Sequence, residues 1–316
     1  MITLSDIEAA ADRIAPYLRR TPVIDVDAIA EPITKARLSL KLECLQPTGS
    51  FKARGATNKL LSLPLEALAN GIVTASGGNH GLAVARAARL AGVSATVYVP
   101  VSASPEKIDK LKRWGATVEV QGQIWNETNV AALAFAAERE AAYFHPFADP
   151  AVVAGQGTMG LELLQDVPDI DVLLVAIGGG GLVSGLAVAL KAKKPSVRII
   201  GVEPVGSPTL KACLDAGRVV RLDAVTTRVA TMSCAETDQG VYEIVRDNVE
   251  DIVLVSDEAM QDAARWLWFE FGIAADLSGA AGIAALRSQA VKLPEGAVAG
   301  AIVCGAGMDG LNLPSS

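Results

Sequence analysis

The sequence predicts an α/β protein of two domains, with open, mostly parallel twisted sheets flanked by helices, and three observations carry that prediction. At 316 residues the chain exceeds one ordinary domain. Apolar residues make up 51% of it and charged residues 20%, enough to build a large core. Short apolar runs, small-residue turns and longer stretches with helical periodicity recur in that order, which is how parallel βαβ layers read in sequence.

Taken along the chain, Ile72 to Ala75 is a strand ending in the turn Ser76-Gly77-Gly78-Asn79-His80-Gly81, and the alanines and arginines from Leu82 to Leu90 suit a helix. Ala95 to Pro100 is the next strand. Ser104-Pro105-Glu106 then opens a helix, with proline at its first position, that runs to about Trp114 before Gly115 stops it. Val172 to Leu190 contains no charge and is long enough to span a bilayer. Four consecutive glycines, Gly178 to Gly181, would each cost about 1 kcal/mol inside a helix, so the segment reads instead as buried strand, turn and helix. Further strands are predicted at Arg198 to Val202, Asp251 to Val255 and Ala299 to Val303. Ser256-Asp257-Glu258 opens a helix carrying Trp266, Trp268 and Phe269, its carboxylates favoured by the helix N-terminus.

Composition narrows the partners. A formal charge of −7 argues against general affinity for nucleic acid or an anionic membrane. The four cysteines, Cys44, Cys213, Cys234 and Cys304, form no CxxC pair, and nothing at the start resembles a secretory leader, so a cytoplasmic protein is expected. With His80 and His145 as the two histidines and no HExxH or Cys/His spacing, no dedicated zinc site is expected.

Four segments could carry chemistry. Lys52 lies in Ser50-Phe51-Lys52-Ala53-Arg54-Gly55 directly after an aromatic, and a lysine shielded from water can lose its proton and form a Schiff base. Position alone does not separate it from a surface lysine. The turn Ser76 to Gly81 joins strand to helix, where outward N–H groups attract a carboxylate or phosphate, although such turns are also commonplace. Gly178 to Gly181 with Leu182 frees the backbone to wrap a phosphate at a helix N-terminus. It fits neither G-x-G-x-x-G nor a P-loop, so it reads as a phosphate cradle without a nucleotide fingerprint. Cys304-Gly305-Ala306-Gly307 ends the last predicted strand, where open parallel sheets place ligands. A buried cysteine is otherwise a small apolar core residue.

In this order, the lysine motif, the Ser76 turn, the tetraglycine and the Cys304 turn resemble the serine/threonine dehydratase family of pyridoxal-phosphate (PLP) enzymes, with the tryptophan-synthase-β type of fold. The resemblance runs from Arg20-Thr21-Pro22 to Asp309 and includes Phe144-His145-Pro146-Phe147 and Gly155-Gln156-Gly157-Thr158. It implies a large domain of residues 1–65 and 149–316, a smaller one of 66–148, PLP in the cleft between them, and a homodimer. It further implies that Lys52 carries the cofactor as a Schiff base and removes the α-proton, that Phe51 packs on the ring, and that Asn79 bonds the ring hydroxyl. Gly178, Gly179, Gly180, Gly181 and Leu182 would hold the phosphate, Cys304 would face the ring nitrogen, and Ser76, Asn79 and His80 would bind the substrate carboxylate.

The implied reaction is β-elimination from a 3-hydroxy amino acid to a 2-oxo acid and ammonia. Racemisation or β-replacement on the same scaffold is the alternative within enzymes, and a glycine-rich binding protein without chemistry the alternative outside them. Departures from the family pattern sharpen the choice. The racemases' second serine is here Gly77. Glu203 occupies the position of a metal ligand, but Thr209 stands where an aspartate is expected, which argues against a bound Mg²⁺. Glu127 would repel a second substrate carboxylate. Thr231-Met232-Ser233-Cys234 and Asp276-Leu277-Ser278-Gly279 also differ from the usual pattern. The chain ends soon after the catalytic core, so no C-terminal regulatory domain is expected.

Overall fold

Ten strands, divided between two sheets, are present among residues 2–123 and 125–311, which the computed structural model describes, the side chain of Asn126 excepted. In chain order they are β1 (Val23–Asp25), β2 (Arg37–Lys41), β3 (Ile72–Ala75), β4 (Ala95–Val99), β5 (Thr117–Val120), β6 (Ala142–Tyr143), β7 (Val172–Ala176), β8 (Arg198–Pro204), β9 (Asp251–Val255) and β10 (Val298–Ile302). The larger sheet has the order β1-β2-β10-β7-β8-β9 and the smaller β5-β4-β3-β6. Strand pairing is parallel throughout except between β1 and β2.

Burial explains the sequence pattern. β3 and β7 are buried at every residue, as strands covered on both faces must be, and their continuous apolar runs reflect it. The core around the larger sheet gathers Leu173, Val175, Leu186, Ile199 and Ile283, and a second one around the smaller sheet gathers Ile72, Val84, Val97 and Leu111. The uncharged stretch resolves into β7 and the helix Gly181–Lys193, and no helix among the described residues is long and apolar enough to cross a membrane.

Two helices begin earlier than the periodicity predicts. The helix after β3 spans Asn79–Ala91, not Leu82 onward, which places Asn79 and His80 in its first turn. The helix after the tetraglycine begins at Gly181. Ser256 caps the helix Asp257–Phe271 through Ala259 N–H, as its residue type requires, and Gly115 ends the helix Pro105–Arg113 with φ of 90°.

β10 comes last in the chain yet inserts between β2 and β7. The segments that follow β2, β7 and β10 therefore leave the same edge of the sheet side by side, which is where open α/β sheets hold ligands.

Candidate active site

The segment before Lys52 is stitched to the end of β10. Phe51 N–H donates to Cys304 O at 3.0 Å, Ala306 N–H to Gly49 O at 2.7 Å, and Ser50 bridges to Gly305. Thr48, with φ of 69°, sits in left-handed backbone that a β-branched residue rarely adopts, a strain these surrounding bonds hold in place. Lys52 is the first residue of the helix Lys52–Ser62.

Lys52 Nζ donates to Pro146 O at 2.5 Å and lies 5.2 Å from the centroid of the Phe51 ring. Among the described residues no carboxylate lies within ion-pair distance of it. Burial lowers its pKa from 10.5 to about 8, against a smaller opposing pull from Cys304 and then Cys234. An amine of this kind is a ready nucleophile and base.

Each side chain of the Ser76 turn has an internal partner. Ser76 Oγ accepts from Gly78 N–H at 3.3 Å, and Asn79 Nδ2 donates to Asp276 Oδ2 at 2.9 Å. His80 Nε2 lies 3.0 Å from Phe144 O, so that nitrogen must carry the proton and Nδ1 is an acceptor, left without a partner. Burial, and then the charge of Lys52, lower the His80 pKa to about 3 and keep the ring neutral. His80 therefore cannot donate to a carboxylate through its side chain. The amides of Gly77, Asn79, His80 and Gly81 donate to no protein acceptor among the described residues, so an anion at this helix N-terminus would meet free main-chain donors beside the Ser76 hydroxyl and the second N–H of Asn79.

The tetraglycine follows β7. The amides of Gly178 to Leu182 likewise lack protein acceptors among the described residues, while Thr237 Oγ1 donates to Gly179 O at 3.0 Å. Gly180 has φ of 91°, and a Cβ on Gly179 would stand 2.2 Å from the Phe147 ring. Phe147 thus fills the space a side chain at Gly179 or Gly181 would need, while Gly178 is closed in by Thr231 and Met232 and Gly180 by Val241 and Leu210.

Cys304 is buried, which pushes its thiol above the ordinary range; Sγ donates to Ser278 Oγ at 3.6 Å. His145 Nδ1 accepts from Ala148 N–H at 2.9 Å and Phe147 N–H at 3.2 Å, and burial lowers its pKa to about 4.

Two expectations about charge change their meaning. Glu127, in the first turn of the helix Trp125–Arg139, is exposed and accepts from Gln123 N–H at 2.8 Å, which ties its carboxylate to the segment just before that helix. Glu203 accepts from Leu210 N–H at 2.8 Å and Lys211 N–H at 3.0 Å. Burial raises its pKa to about 7 against those amides, and Thr209 Oγ1 donates to Cys234 O. No group of three metal-ligating side chains is found among the described residues.

Sequence reasoning missed the role of Pro146 O, a main-chain acceptor with no sequence signal, and of Ser278, which it marked only within a segment that departs from the usual pattern. It also missed that Cys234 comes within electrostatic reach of Lys52, held by Ser207 Oγ, which accepts from Cys234 N–H at 3.1 Å and donates to Cys234 O at 2.9 Å. A cavity of about 410 Å³ is lined by Arg20, Thr21, Pro22, Val23, Asp25, Arg37, Asp166 and Val167, none of them in this constellation. Chemistry rather than volume locates the site.

A weakly basic lysine, a cradle of unpaired amides and the orphaned acceptors Ser50 Oγ and His80 Nδ1 suit a phosphorylated aldehyde that brings its own polar groups. Residues 14–305 match the family model of the pyridoxal-phosphate dependent enzymes. The chain belongs to that family. This PLP enzyme is 39% identical to the L-threonine ammonia-lyase of Thermotoga maritima over 92% of its own length and 72% of the relative's. Its fold superposes on the crystal structure of a T.th. threonine deaminase with a TM-score of 0.89, at 37% identity and covering 100% of both chains. It also superposes on maize serine racemase with a TM-score of 0.91, at 35% identity over 96% of this chain and 93% of that one.

Proposed function

We propose that this PLP enzyme deaminates a 3-hydroxy amino acid such as L-threonine or L-serine by β-elimination, releasing a 2-oxo acid and ammonia. The observation that carries the reading is that Lys52 is a buried amine with no carboxylate within ion-pair distance among the described residues and a pKa lowered to about 8. Burial lowers the pKa of His80 to about 3 and of His145 to about 4, so both are weak bases, Cys234 holds its proton with a pKa pushed up to about 11, and Gly77 has no side chain to act from the opposite face. One base suits proton removal followed by loss of the β-hydroxyl, whereas racemisation needs a second donor.

Bound PLP supplies the electron sink that makes the α-proton acidic. The amides of Gly178 to Leu182 would bind its phosphate, Phe51 would pack on its ring, and Asn79 and Cys304 would serve the ring hydroxyl and nitrogen. Amides of the Ser76 to Gly81 turn hold the substrate carboxylate. Lys52 Nζ, hydrogen-bonded to Pro146 O, would anchor the cofactor and, once freed, accept the proton from Cα. Residues 66–148 form the smaller unit, which carries the carboxylate turn, and residues 1–65 and 149–316 the larger, which holds the phosphate. The reduced cysteines fit a cytoplasmic protein, and exposed Trp268 and Phe269 fit a homodimer face.

The test is a 2-oxo acid and ammonia assay on L-serine, L-threonine and hydroxyaspartate, paired with borohydride reduction of the PLP-loaded protein and peptide mapping. Equimolar 2-oxo acid and ammonia with label on Lys52 is expected. Exchange of deuterium at Cα without ammonia would instead establish a racemase.

A further inference from the structure

We propose that Asp276 is a positioning residue for the cofactor ring, holding Asn79 on one side and, through Ser278, Cys304 on the other. The inference rests on the reading that places PLP at Lys52. It concerns a residue that the sequence marks only as a departure from the family pattern.

Asp276 Oδ2 accepts from Asn79 Nδ2 at 2.9 Å, and Oδ1 accepts from Ser278 Oγ and Gly279 N–H, both at 2.7 Å. Ser278 Oγ in turn lies 3.6 Å from Cys304 Sγ, the donor. Both Asp276 oxygens are used as acceptors, and that sets the direction of the whole chain. Asn79 must present nitrogen, not oxygen, to Asp276, which leaves its second N–H and its carbonyl for other partners. The Ser278 hydroxyl proton points at Asp276, and its lone pairs receive the Cys304 thiol.

The contact also spans the cleft. Asn79 opens the helix after β3 of the smaller sheet, whereas Asp276 caps the helix Leu277–Arg287 that packs on the larger one. Three segments close around the carboxylate. A Cβ on Gly305 would stand 2.3 Å from Asp276 Oδ2 and 2.9 Å from Asn79 Nδ2, and one on Gly307 would stand 2.7 Å from Asp276 Cβ. Glycine at 305, immediately after Cys304, is what lets the pair meet. Burial raises the Asp276 pKa, and the bonds from Ser278, Gly279 and Asn79 work against that rise. A helix cap alone requires only the Gly279 bond, so the bonds to Asn79 and Ser278 call for a second role.

The variant Asp276→Asn separates the two roles. Asparagine also caps helices well, and its Oδ1 can still accept from Ser278 and Gly279, but its Nδ2 would face Asn79 Nδ2, donor against donor. PLP affinity of the apoprotein, the near-visible absorbance of the loaded protein, steady-state kinetics and thermal unfolding would be measured together. The expected result is PLP binding weakened about tenfold, the scale of one lost charge-assisted hydrogen bond, with a displaced absorbance maximum. kcat should fall about tenfold and KM change by less than about threefold, because the amides of the Ser76 turn are untouched. Ser278→Ala, which leaves the cap and the Asn79 bond in place, should shift the absorbance with a smaller loss of affinity, and reads the inference even where Asp276→Asn folds poorly. Wild-type affinity and absorbance in the folded variants overturn the proposal. Failure of borohydride to label Lys52 in the unaltered protein would sink the underlying site reading instead, a distinct outcome.

Discussion

Lys52 and Arg54 stand two residues apart at the start of one helix, on faces that the helix turns away from each other, and the protein treats their charges in opposite ways. Arg54 is 2% exposed and uses all five of its N–H donors. Nε and Nη2 grip Glu43 at 2.8 Å each, Nη1 and Nη2 grip Glu162 at 2.7 and 2.9 Å, and Nη1 also reaches Thr158 Oγ1 at 3.1 Å. Lys41, fully buried on β2, donates to the same Glu162 at 2.7 Å and reaches Asp166 at 3.4 Å, so two buried cations and three carboxylates share one network. Carboxylate partners raise the pKa of Arg54, whereas burial without one lowers that of Lys52 to about 8. A counter-ion makes a buried cation structural, and withholding it makes the cation reactive.

Three substitutions test that contrast, beginning with the largest effect. Lys52→Ala should lower 2-oxo acid production by about 10⁴-fold or more, since the general base and the cofactor's covalent anchor vanish together. Its thermal midpoint should not fall, because no ion pair is lost. Residual turnover within a hundredfold of the parent would show that the unpaired amine is not the reacting group.

Arg54→Met comes next. It strands Glu43 and Glu162 without their cation and should cost about 3–5 kcal/mol in urea unfolding. A loss below about 1 kcal/mol would mean that Lys41 alone balances the carboxylates and would break the comparison.

The smallest effect concerns the histidines that keep the surroundings of Lys52 uncharged. His145, with a folded pKa of about 4, binds fewer protons than the unfolded chain, whose histidine titrates near 6.5. Its contribution to stability is therefore complete above pH 6.5 and is lost as pH falls towards 4. His145→Gln should flatten the decline in that window by up to about 1.4 kcal/mol per pH unit, read by unfolding at a series of pH values. An unchanged slope would place the acid sensitivity elsewhere.

Much of the fold was legible because its strands obey local rules. β3 and β7 are unbroken apolar runs bounded by glycine turns, and the starts at Ser256 and Pro105 show the residue types their positions demand. β2 escaped notice because Arg37 and Lys41 bracket it, and a lysine suits a buried strand only once Glu162, more than a hundred residues away, neutralises it. The antiparallel β1 was invisible for a similar reason: two half-exposed residues and an exposed aspartate carry no pattern of their own.

The candidate site divides in the same way. The sequence by itself determined which groups are available, since a lysine after an aromatic, four glycines after a strand and a turn rich in amides are local arrangements whose chemistry follows from residue type and backbone freedom. Tertiary structure alone decided which of those groups remain free. Folding committed Asn79 to Asp276, His80 Nε2 to Phe144 and Glu127 to Gln123 N–H, left the turn amides without protein acceptors and Lys52 Nζ without a carboxylate among the described residues, and inserted β10 beside β7. The physical reason is that a pKa and a hydrogen bond depend on burial and on partners far away along the chain, and one sequence read locally contains neither.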